Sequence, residues 1–191
     1  TGEISIGTNK WNSFLNTITF GLFFKETQTV TVTASDNSGD AVKIEYLLSD
    51  KALSETELVS ATFTSYTDSF SINPDNKYVV YAKLTDTNSN ATYINSEGMV
   101  LDATVPVITG VENGETYCEA QTVTVTEDYI ESVKVNGTAV TLDANNQFTL
   151  NPAEGTQKIV AIDKAGNVSV EITVTVNDGH TAGNDDGNCS T

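Results

Sequence analysis

The stretch QTVTVT occurs twice in this sequence, at Gln28–Thr33 and again, letter for letter, at Gln121–Thr126. The two copies are 121 − 28 = 93 residues apart. Valine alternates with threonine in each copy, which is the period of a β-strand with one buried face. An offset of this size is too long for a solenoid repeat and suits a two-sheet antiparallel sandwich. Each copy is therefore predicted to mark the same strand in two related units.

The overall composition is that of an all-β protein. Thr, Val, Asn, Ser and Asp are abundant, whereas runs of Ala, Leu, Glu and Lys that would favour helices are nearly absent. With 191 residues the chain is long enough for one or two domains. The internal repeat favours two small domains, each with a modest core of its own.

The chain is strongly acidic, with 26 acidic and 9 basic residues and a net charge of −17. Because such a chain repels polyanions, neither nucleic acid nor an anionic membrane surface is an expected partner. No apolar run reaches the roughly 18 residues of a membrane span, and the sequence from Thr1 lacks the features of a signal peptide. We therefore expect no membrane insertion, and we expect targeting and anchoring segments in other parts of a longer protein.

The most apolar stretch of the first unit is Lys10–Phe24. Its apolar residues from Trp11 to Ile18 have helical spacing and those from Ile18 to Leu22 have strand spacing, which predicts a helical turn that becomes a strand near Thr17. The favoured interpretation is that the aromatic side chains fill the core. The alternative is an exposed aromatic platform, in which Trp11 stacks on sugar rings.

One further helix is predicted over Lys51–Ser60, where Leu53 and Leu58 are the apolar residues. We expect this helix to connect the two sheets of the first unit. Around it, alternating apolar residues separated by turn sequences predict seven or so short strands. That number matches an immunoglobulin-like or fibronectin-III-like sandwich.

The two units are joined by Leu101–Val107. Pro106 lacks the N–H that a strand ladder needs and restricts the residue before it, so a strand must end here. The joint is short and contains no glycine, so it is predicted to restrict the angle between neighbouring domains more than a Gly/Ser tether would. The predicted domains are residues 1–103, a sandwich with a short helical insertion, residues 104–178, a smaller sandwich, and residues 179–191, a flexible tail or linker.

The two units also align near their ends, where Tyr81–Asn90 matches Val160–Asn167 with Ala82 opposite Ala161. This offset of 161 − 82 = 79 residues is 14 shorter than 93. The first unit is therefore predicted to carry about that many extra residues, most simply the helical insertion.

Four motifs occur in order along the chain: the QTVTVT strand, the DATVPVITGV joint at 102–111, the NGTAVTL hairpin at 136–142 and the AIDKAGNVS turn at 161–169. Together they resemble the bacterial immunoglobulin-like modules strung in tandem along secreted and cell-wall proteins of Gram-positive bacteria. The resemblance covers residues 1–178. It implies two tandem immunoglobulin-like antiparallel β-sandwiches joined by a short linker, without catalytic activity, located outside the cell or in the cell wall.

His180 is the only histidine, and it lies in the terminal sequence GHTAGNDDGNCST. A nucleophilic mechanism would need this side chain fixed to within a fraction of an ångström, which a mobile tail does not provide. We therefore predict no catalytic residue and no enzyme. His180 and Cys189 are weak candidates for zinc ligands, but a four-ligand site cannot be completed here, so no metal and no cofactor are expected.

Two other kinds of chemistry are weighed and set aside. The acidic turns SDNSGD, NPDN and LTDTNSN contain the oxygen ligands that calcium prefers, but they lack the spacing of an EF-hand loop and are predicted to be solvated turns. A Lys–Asn bond across the sheets would need a buried lysine, and the sequence favours no particular pair.

The two cysteines, Cys118 and Cys189, are predicted to be free thiols. Closing a loop through a flexible Gly-rich segment costs entropy, and a disulfide needs Cα atoms within about 7 Å. Cys118 is expected on a strand, partly buried and slow to react, and Cys189 is expected to react fast.

The leading functional hypothesis is a non-catalytic module pair of a multimodular surface or secreted protein, acting as a spacer or adhesion element. We expect a monomer whose partners are neighbouring domains of the parent protein and a host or cell-wall glycan or protein. The alternative is a carbohydrate-binding accessory module of a secreted glycan-active enzyme, with Trp11 as the candidate contact.

Overall fold

The computed structural model describes residues 1–177. The chain divides into two compact units, unit 1 (Thr1–Ala103) and unit 2 (Thr104–Thr191). Strands dominate both units, and each unit packs two sheets around a hydrophobic core of its own. The predicted all-β sandwich class is confirmed. Residues 179–191, predicted to be a flexible tail, lie outside the described residues.

Unit 1 is built from ten strands and one short helix. In chain order these are β1 (Gly2–Ile6), β2 (Asn9–Trp11), β3 (Leu22–Phe24), β4 (Gln28–Ala34), β5 (Lys43–Ser49), α1 (Glu55–Ser60), β6 (Thr64–Ser65), β7 (Phe70–Ile72), β8 (Asn76–Thr85), β9 (Ala91–Asn95) and β10 (Met99–Leu101). One sheet has the order β2-β1-β4-β7. The other has the order β3-β10-β8-β5-β6, and β9 pairs with the end of β8.

The described part of unit 2 repeats this plan with eight strands. They are β11 (Val107–Thr109), β12 (Thr116–Tyr117), β13 (Gln121–Thr126), β14 (Ile130–Val135), β15 (Thr138–Val140), β16 (Gln147–Leu150), β17 (Thr156–Asp163) and β18 (Ile172–Val176). One sheet has the order β11-β13-β16, and the other has the order β12-β18-β17-β14-β15.

The repeated QTVTVT strand occupies the same position in both sandwiches. In unit 1 it forms β4, between β1 and β7, and in unit 2 it forms β13, between β11 and β16. Its valines, Val30 and Val32 in unit 1 and Val123 and Val125 in unit 2, are 3% exposed or less. Burying one such side chain contributes on the order of 1.5–3 kcal/mol. The prediction of one buried face in each copy is confirmed.

The units differ clearly in one connection. In unit 1, 14 residues (50–63) separate β5 from β6, whereas in unit 2 the two residues 136–137 separate β14 from β15. Those two residues, Asn136 and Gly137, both have positive φ, as a tight hairpin turn requires. The predicted insertion with a helix is therefore present as α1. However, β5 and β6 are neighbours in one sheet, so the prediction that the helix connects the two sheets is wrong.

Residues 12–21, which we call the strap, form an irregular segment instead of the predicted helical turn. The amide of Leu15 donates to Asn95 Oδ1 at 2.6 Å, and the amide of Thr19 donates to Glu97 Oε1 at 2.6 Å. A helix would need such amides for bonds to the carbonyl four residues earlier. Partners about 80 residues away in the chain therefore override the local helical spacing.

The described residues of each unit include a parallel strand pair, so the sandwiches are not purely antiparallel as predicted. β3 runs parallel to β10, and β12 runs parallel to β18. The chain crosses from one sheet to the other after β2 in unit 1 and after β11 in unit 2, and it then runs beside the last described strand of that unit. This pairing covers backbone groups of the last strand that would otherwise form an open sheet edge.

The alignment near the ends of the units is shifted by two residues from the prediction. The amide of Val80 donates to the buried Ser96 hydroxyl, and the amide of Ala161 donates to the Ser169 hydroxyl, both at 2.9 Å. Val80, rather than Ala82, therefore corresponds to Ala161. An alignment shifted by two residues leaves every side chain on the same face of its strand. The alternation of apolar and polar residues therefore could not distinguish the two alignments.

Cys118 is disulfide-bonded, so the prediction that it is a free thiol is wrong. β12 ends at Tyr117, whose carbonyl accepts a hydrogen bond at 2.8 Å from the amide of Asn177, just after the last strand. Cys118 thus leaves the sheet beside the end of β18. Cys189, the only other cysteine, lies outside the described residues.

Candidate functional site

The candidate site lies on the outer face of unit 1, which we define as the face of β5, β8 and β9 that points away from the sandwich core. Side chains alternate along a strand, so Val80 and Ala82 of β8 belong to the core while Tyr81 and Lys83 point outward. The strand register aligns two outward rows. One contains Leu47, Tyr81 and Asn95, and the next contains Glu45, Lys83 and Tyr93.

The first row is covered by the strap and α1. Leu58, Val79 and Tyr81 are 1% exposed or less and form a second, smaller core of unit 1. The partly buried side chains packed against them are Phe14, Ile18, Phe20, Leu47, Leu53, Phe63 and Tyr93. Most of the strap's apolar residues therefore fill a core, although it is this outer one and not the core between the sheets.

The strap is held by the end of β9 and the residues after it. Asn95 is fully buried, and its amide donates to Ser13 O at 3.3 Å while its side chain accepts from Leu15. Gly98 makes room for the strap, because a Cβ there would lie 2.7 Å from Phe20 Cγ and 2.8 Å from Ile18 Cγ2. The strap is thus fixed by both hydrogen bonds and close packing.

The helical insertion is held by a buried phenol and a capping box. Tyr81 Oη accepts a hydrogen bond from the amide of Leu53 at 2.7 Å, and burial raises the pKa of Tyr81. Ser54 and Glu57 bond reciprocally, with the Glu57 amide donating to Ser54 Oγ and the Ser54 amide donating to Glu57 Oε2. The backbone hydrogen bond from Ser54 is the main cause that lowers the pKa of Glu57.

The second row is only partly covered, and with Phe63 it forms what we call the aromatic patch: Phe63, Tyr93, Lys83 and Glu45. The rings of Phe63 and Tyr93 are 5.9 Å apart between centroids, with 39° between their planes. Lys83 Nζ lies 6.0 Å from the Phe63 centroid, a cation–π distance. Glu45 accepts from Lys43 Nζ at 2.8 Å. The patch thus combines two half-buried rings with an ammonium, a phenol and a carboxylate.

A groove of about 390 Å³ separates the strap from α1. Its lining includes apolar residues of the strap and the insertion together with Glu55 and Glu57. Glu57 is already bonded to Ser54 and lies 3.7 Å from Lys51 Nζ. The Glu57 carboxylate in this groove therefore helps to hold the insertion in place.

Unit 2 has the corresponding strands without the patch. β14, β15 and β17 carry no aromatic side chain. With Val80 aligned to Ala161, the row of Leu47 and Tyr81 corresponds to Ser132 and Ile162. The position equivalent to Lys83 falls beyond Asp163, where β17 ends. Because unit 2 forms the same sandwich without them, the strap, α1 and the aromatic patch are additions that the strand order does not require.

Acidic turns in both units use their oxygens to close a hairpin. Asp86 accepts from the amides of Asn88 and Asn90 and from the Asn90 side chain, each at 2.8 Å, and the Asn90 side chain is the main cause that lowers the pKa of Asp86. Asp163 bonds to Asn167 in the same way. These aspartates act as turn locks, and Asp163 is buried. The carboxylate oxygens of Asp163 and Glu127 approach within 4.8 Å, which by itself defines no ion site.

The residues proposed from the sequence lie elsewhere. Trp11 is half-buried on β2, packs against the core between the sheets and belongs to the sheet opposite the aromatic patch. His180 and Cys189 lie outside the described residues.

Every lysine of the chain lies within residues 1–177 and is partly or fully exposed, so the buried lysine that a Lys–Asn bond needs is not there. No helix in residues 1–177 is long and apolar enough to cross a membrane.

Comparisons with known proteins show no family for this chain. No protein-family model matches the sequence, and no curated protein matches it. Among solved structures, fibronectin(III)-like modules of Clostridium thermocellum CbhA are similar at 14% identity and a TM-score of 0.37, over 92% of this chain and 94% of that one.

A second similar structure is SGBP-B of the Bacteroides ovatus mixed-linkage glucan utilization locus, in complex with a mixed-linkage heptasaccharide. It has 12% identity and a TM-score of 0.31 over 90% of this chain. The present chain spans about half of that protein, 47% of its length. Identities this low indicate nothing about function.

Proposed function

We propose that the chain is a non-catalytic pair of immunoglobulin-like modules from a multimodular bacterial surface or secreted protein, acting as a spacer and adhesion element. The observation that carries the proposal is that one strand order, with the same repeated strand, is built twice around two separate cores. A domain with its own core can fold without its neighbours, which is what a module in a tandem array needs.

The proposed location is extracellular, in the cell wall or secreted. The disulfide of Cys118 supports it, because disulfides persist in oxidising environments outside the cytosol. The Gram-positive source belongs to the same proposal and rests on the motif resemblance alone.

The test of the non-catalytic role is a turnover assay on the purified chain. Incubation with neutral glycans, acidic glycans and peptides should release no product above the buffer blank. Turnover that co-purifies with the chain and disappears with His180→Ala would contradict the proposal, because His180 is the only histidine available as a base.

The alternative function is a carbohydrate-binding accessory module of a secreted glycan-active enzyme. The aromatic patch favours it, since half-exposed rings beside hydrogen-bonding groups suit a ligand that is apolar on one side and polar at its edge. The discriminating observation is the sequence of the parent protein, where an attached glycosidase would favour the enzyme accessory over the spacer.

A further inference from the structure

The aromatic patch of unit 1 is an addition to the sandwich that the fold does not need. Unit 2 closes the connection equivalent to residues 50–63 with two residues and has no aromatic side chain on β14, β15 or β17. The insertion brings Phe63 beside Tyr93 although β6 and β9 are not neighbours in the sheet.

The two rings present an apolar surface that is both fixed and reachable. Phe63 and Tyr93 pack on the outer core of Leu58, Val79 and Tyr81, yet each is only partly buried. A ring anchored in this way loses little conformational entropy when a ligand stacks on it. A pyranose presents the matching surface, because the C–H groups on one side of its ring are apolar.

The polar groups around the rings match a ligand rich in hydroxyls. Lys83 supplies only donors, the Glu45 carboxylate supplies only acceptors, and the Tyr93 hydroxyl supplies both. The register places these three residues side by side on adjacent strands. A sugar hydroxyl both donates and accepts hydrogen bonds. The hydroxyls along one edge of a pyranose can therefore bond to all three side chains.

The net charge of the whole chain disfavours a polyanionic ligand. Within the patch and its neighbour Lys43 there are two lysines and one glutamate, whereas the whole chain carries −17. The field of the chain repels polyanions at a distance, and a neutral glycan is not repelled. We propose that the aromatic patch binds a neutral pyranose segment of a glycan, with Phe63 and Tyr93 stacking on the ring and Lys83 and Glu45 bonding its hydroxyls.

This inference rests on the adhesion part of the proposed function and names its ligand class. The test is an NMR titration of the full chain with cellohexaose, chitohexaose and the anionic hexamer of galacturonic acid, each up to about 10 mM. We expect at least one neutral hexamer to shift the amide signals of Phe63, Lys83 and Tyr93, with no shift on β14, β15 and β17 of unit 2.

Substitutions distinguish binding at the aromatic patch from binding at another aromatic side chain. Phe63→Leu and Tyr93→Leu keep an apolar side chain but remove the ring, and each should weaken binding roughly tenfold or more. Lys83→Met keeps the stem and should weaken binding as well. Trp11→Leu, on the opposite sheet, is the matched control and should leave binding unchanged, with thermal unfolding of all variants checked in parallel.

Three results would overturn the proposal. They are the absence of any shift with both neutral hexamers, binding that is unaffected by Phe63→Leu and Tyr93→Leu, and binding that is lost with Trp11→Leu alone. Each of these leaves the spacer role standing, because that role depends on two independently folded units and on the absence of turnover.

Discussion

Tyr81 is the residue on which the outer core of unit 1 depends. Its side chain is fully buried, and its hydroxyl accepts from the amide of Leu53. Burial raises its pKa above 10.0, the Leu53 hydrogen bond lowers it, and the negative charge of Glu57 raises it again, with burial the largest of the three effects.

The first prediction concerns alkaline titration. Because folding favours the neutral phenol, this contribution to stability is complete below pH 10 and is lost as pH rises further. In a tyrosinate absorbance titration, Tyr81 should ionise only as unit 1 unfolds, with Tyr81→Phe as the reference spectrum. A Tyr81 signal that titrates near pH 10 in the folded protein would contradict its burial.

Tyr81→Phe itself should lower the free energy of unfolding by roughly 1 kcal/mol, since it leaves the Leu53 amide without its acceptor.

Asp86 is another residue whose ionisation the structure perturbs, and here the pKa shift is opposite in direction to that of Tyr81. Hydrogen bonds from Asn90 and Asn88 favour the carboxylate, so its pKa lies below the ordinary value of 3.8. The stability contributed by this turn lock is therefore present above that value and is lost as pH falls through the lower, folded value.

The second prediction is that a carboxyl-carbon NMR titration of Asp86 gives a midpoint below 3.8 and that Asn90→Ala moves the midpoint upward. The side-chain hydrogen bond from Asn90 is the largest cause of the lowered pKa, so its removal should have the largest effect. An unchanged midpoint in Asn90→Ala would show that the turn lock does not exist in solution.

At the level of elements, the strap is held against β10 by shape as well as by hydrogen bonds. Gly98 is buried under Phe20 and Ile18, and the space for a methyl group is already occupied by these side chains. The flexible end of a side chain could move away from a new methyl group at position 98. Phe20 Cγ has less freedom to move, because it is the ring carbon closest to the backbone.

The third prediction follows from this packing. Gly98→Ala should destabilise unit 1 by roughly 1–3 kcal/mol and speed amide exchange in residues 12–21. Gly21→Ala is the matched control within the strap, because its new methyl group meets only the Thr19 hydroxyl at 3.3 Å. Its effect should stay within roughly 0.5 kcal/mol in denaturant unfolding. Equal effects of the two substitutions would mean that the strap is not packed on Gly98.

The strands could be predicted from the sequence because their signal is local. Valine alternation in QTVTVT identifies β4 and β13 without any knowledge of their neighbours. The strap could not be predicted, because the partners of Leu15 and Thr19 are Asn95 and Glu97, about 80 residues away. Helical spacing in the sequence was overridden by contacts that exist only after the sheet has formed.

The aromatic patch and the disulfide of Cys118 were missed for a related reason. Phe63 and Tyr93 are far apart in sequence, and only the register of β5, β8 and β9 together with the path of the insertion brings their rings together. Cys118 likewise comes beside the end of the last strand only because β12 pairs with β18. Trp11 stood out by residue type, but its strand places it against the core.

For the whole molecule, the central claim is that two copies of one sandwich each fold around a core of their own. The repeated strand provides a matched pair of probes, since Val30 in unit 1 and Val123 in unit 2 occupy the same strand position and are both fully buried. Shortening either side chain to alanine leaves a cavity in one core only.

The fourth prediction is the most direct test of that claim, made by native-state amide exchange resolved along the full chain. Val30→Ala should lower the protection of unit 1 by roughly 1–3 kcal/mol and leave unit 2 unchanged, and Val123→Ala should do the reverse. If either substitution lowered the protection of both units equally, the chain would be one cooperative domain and the account of two self-sufficient modules would be wrong.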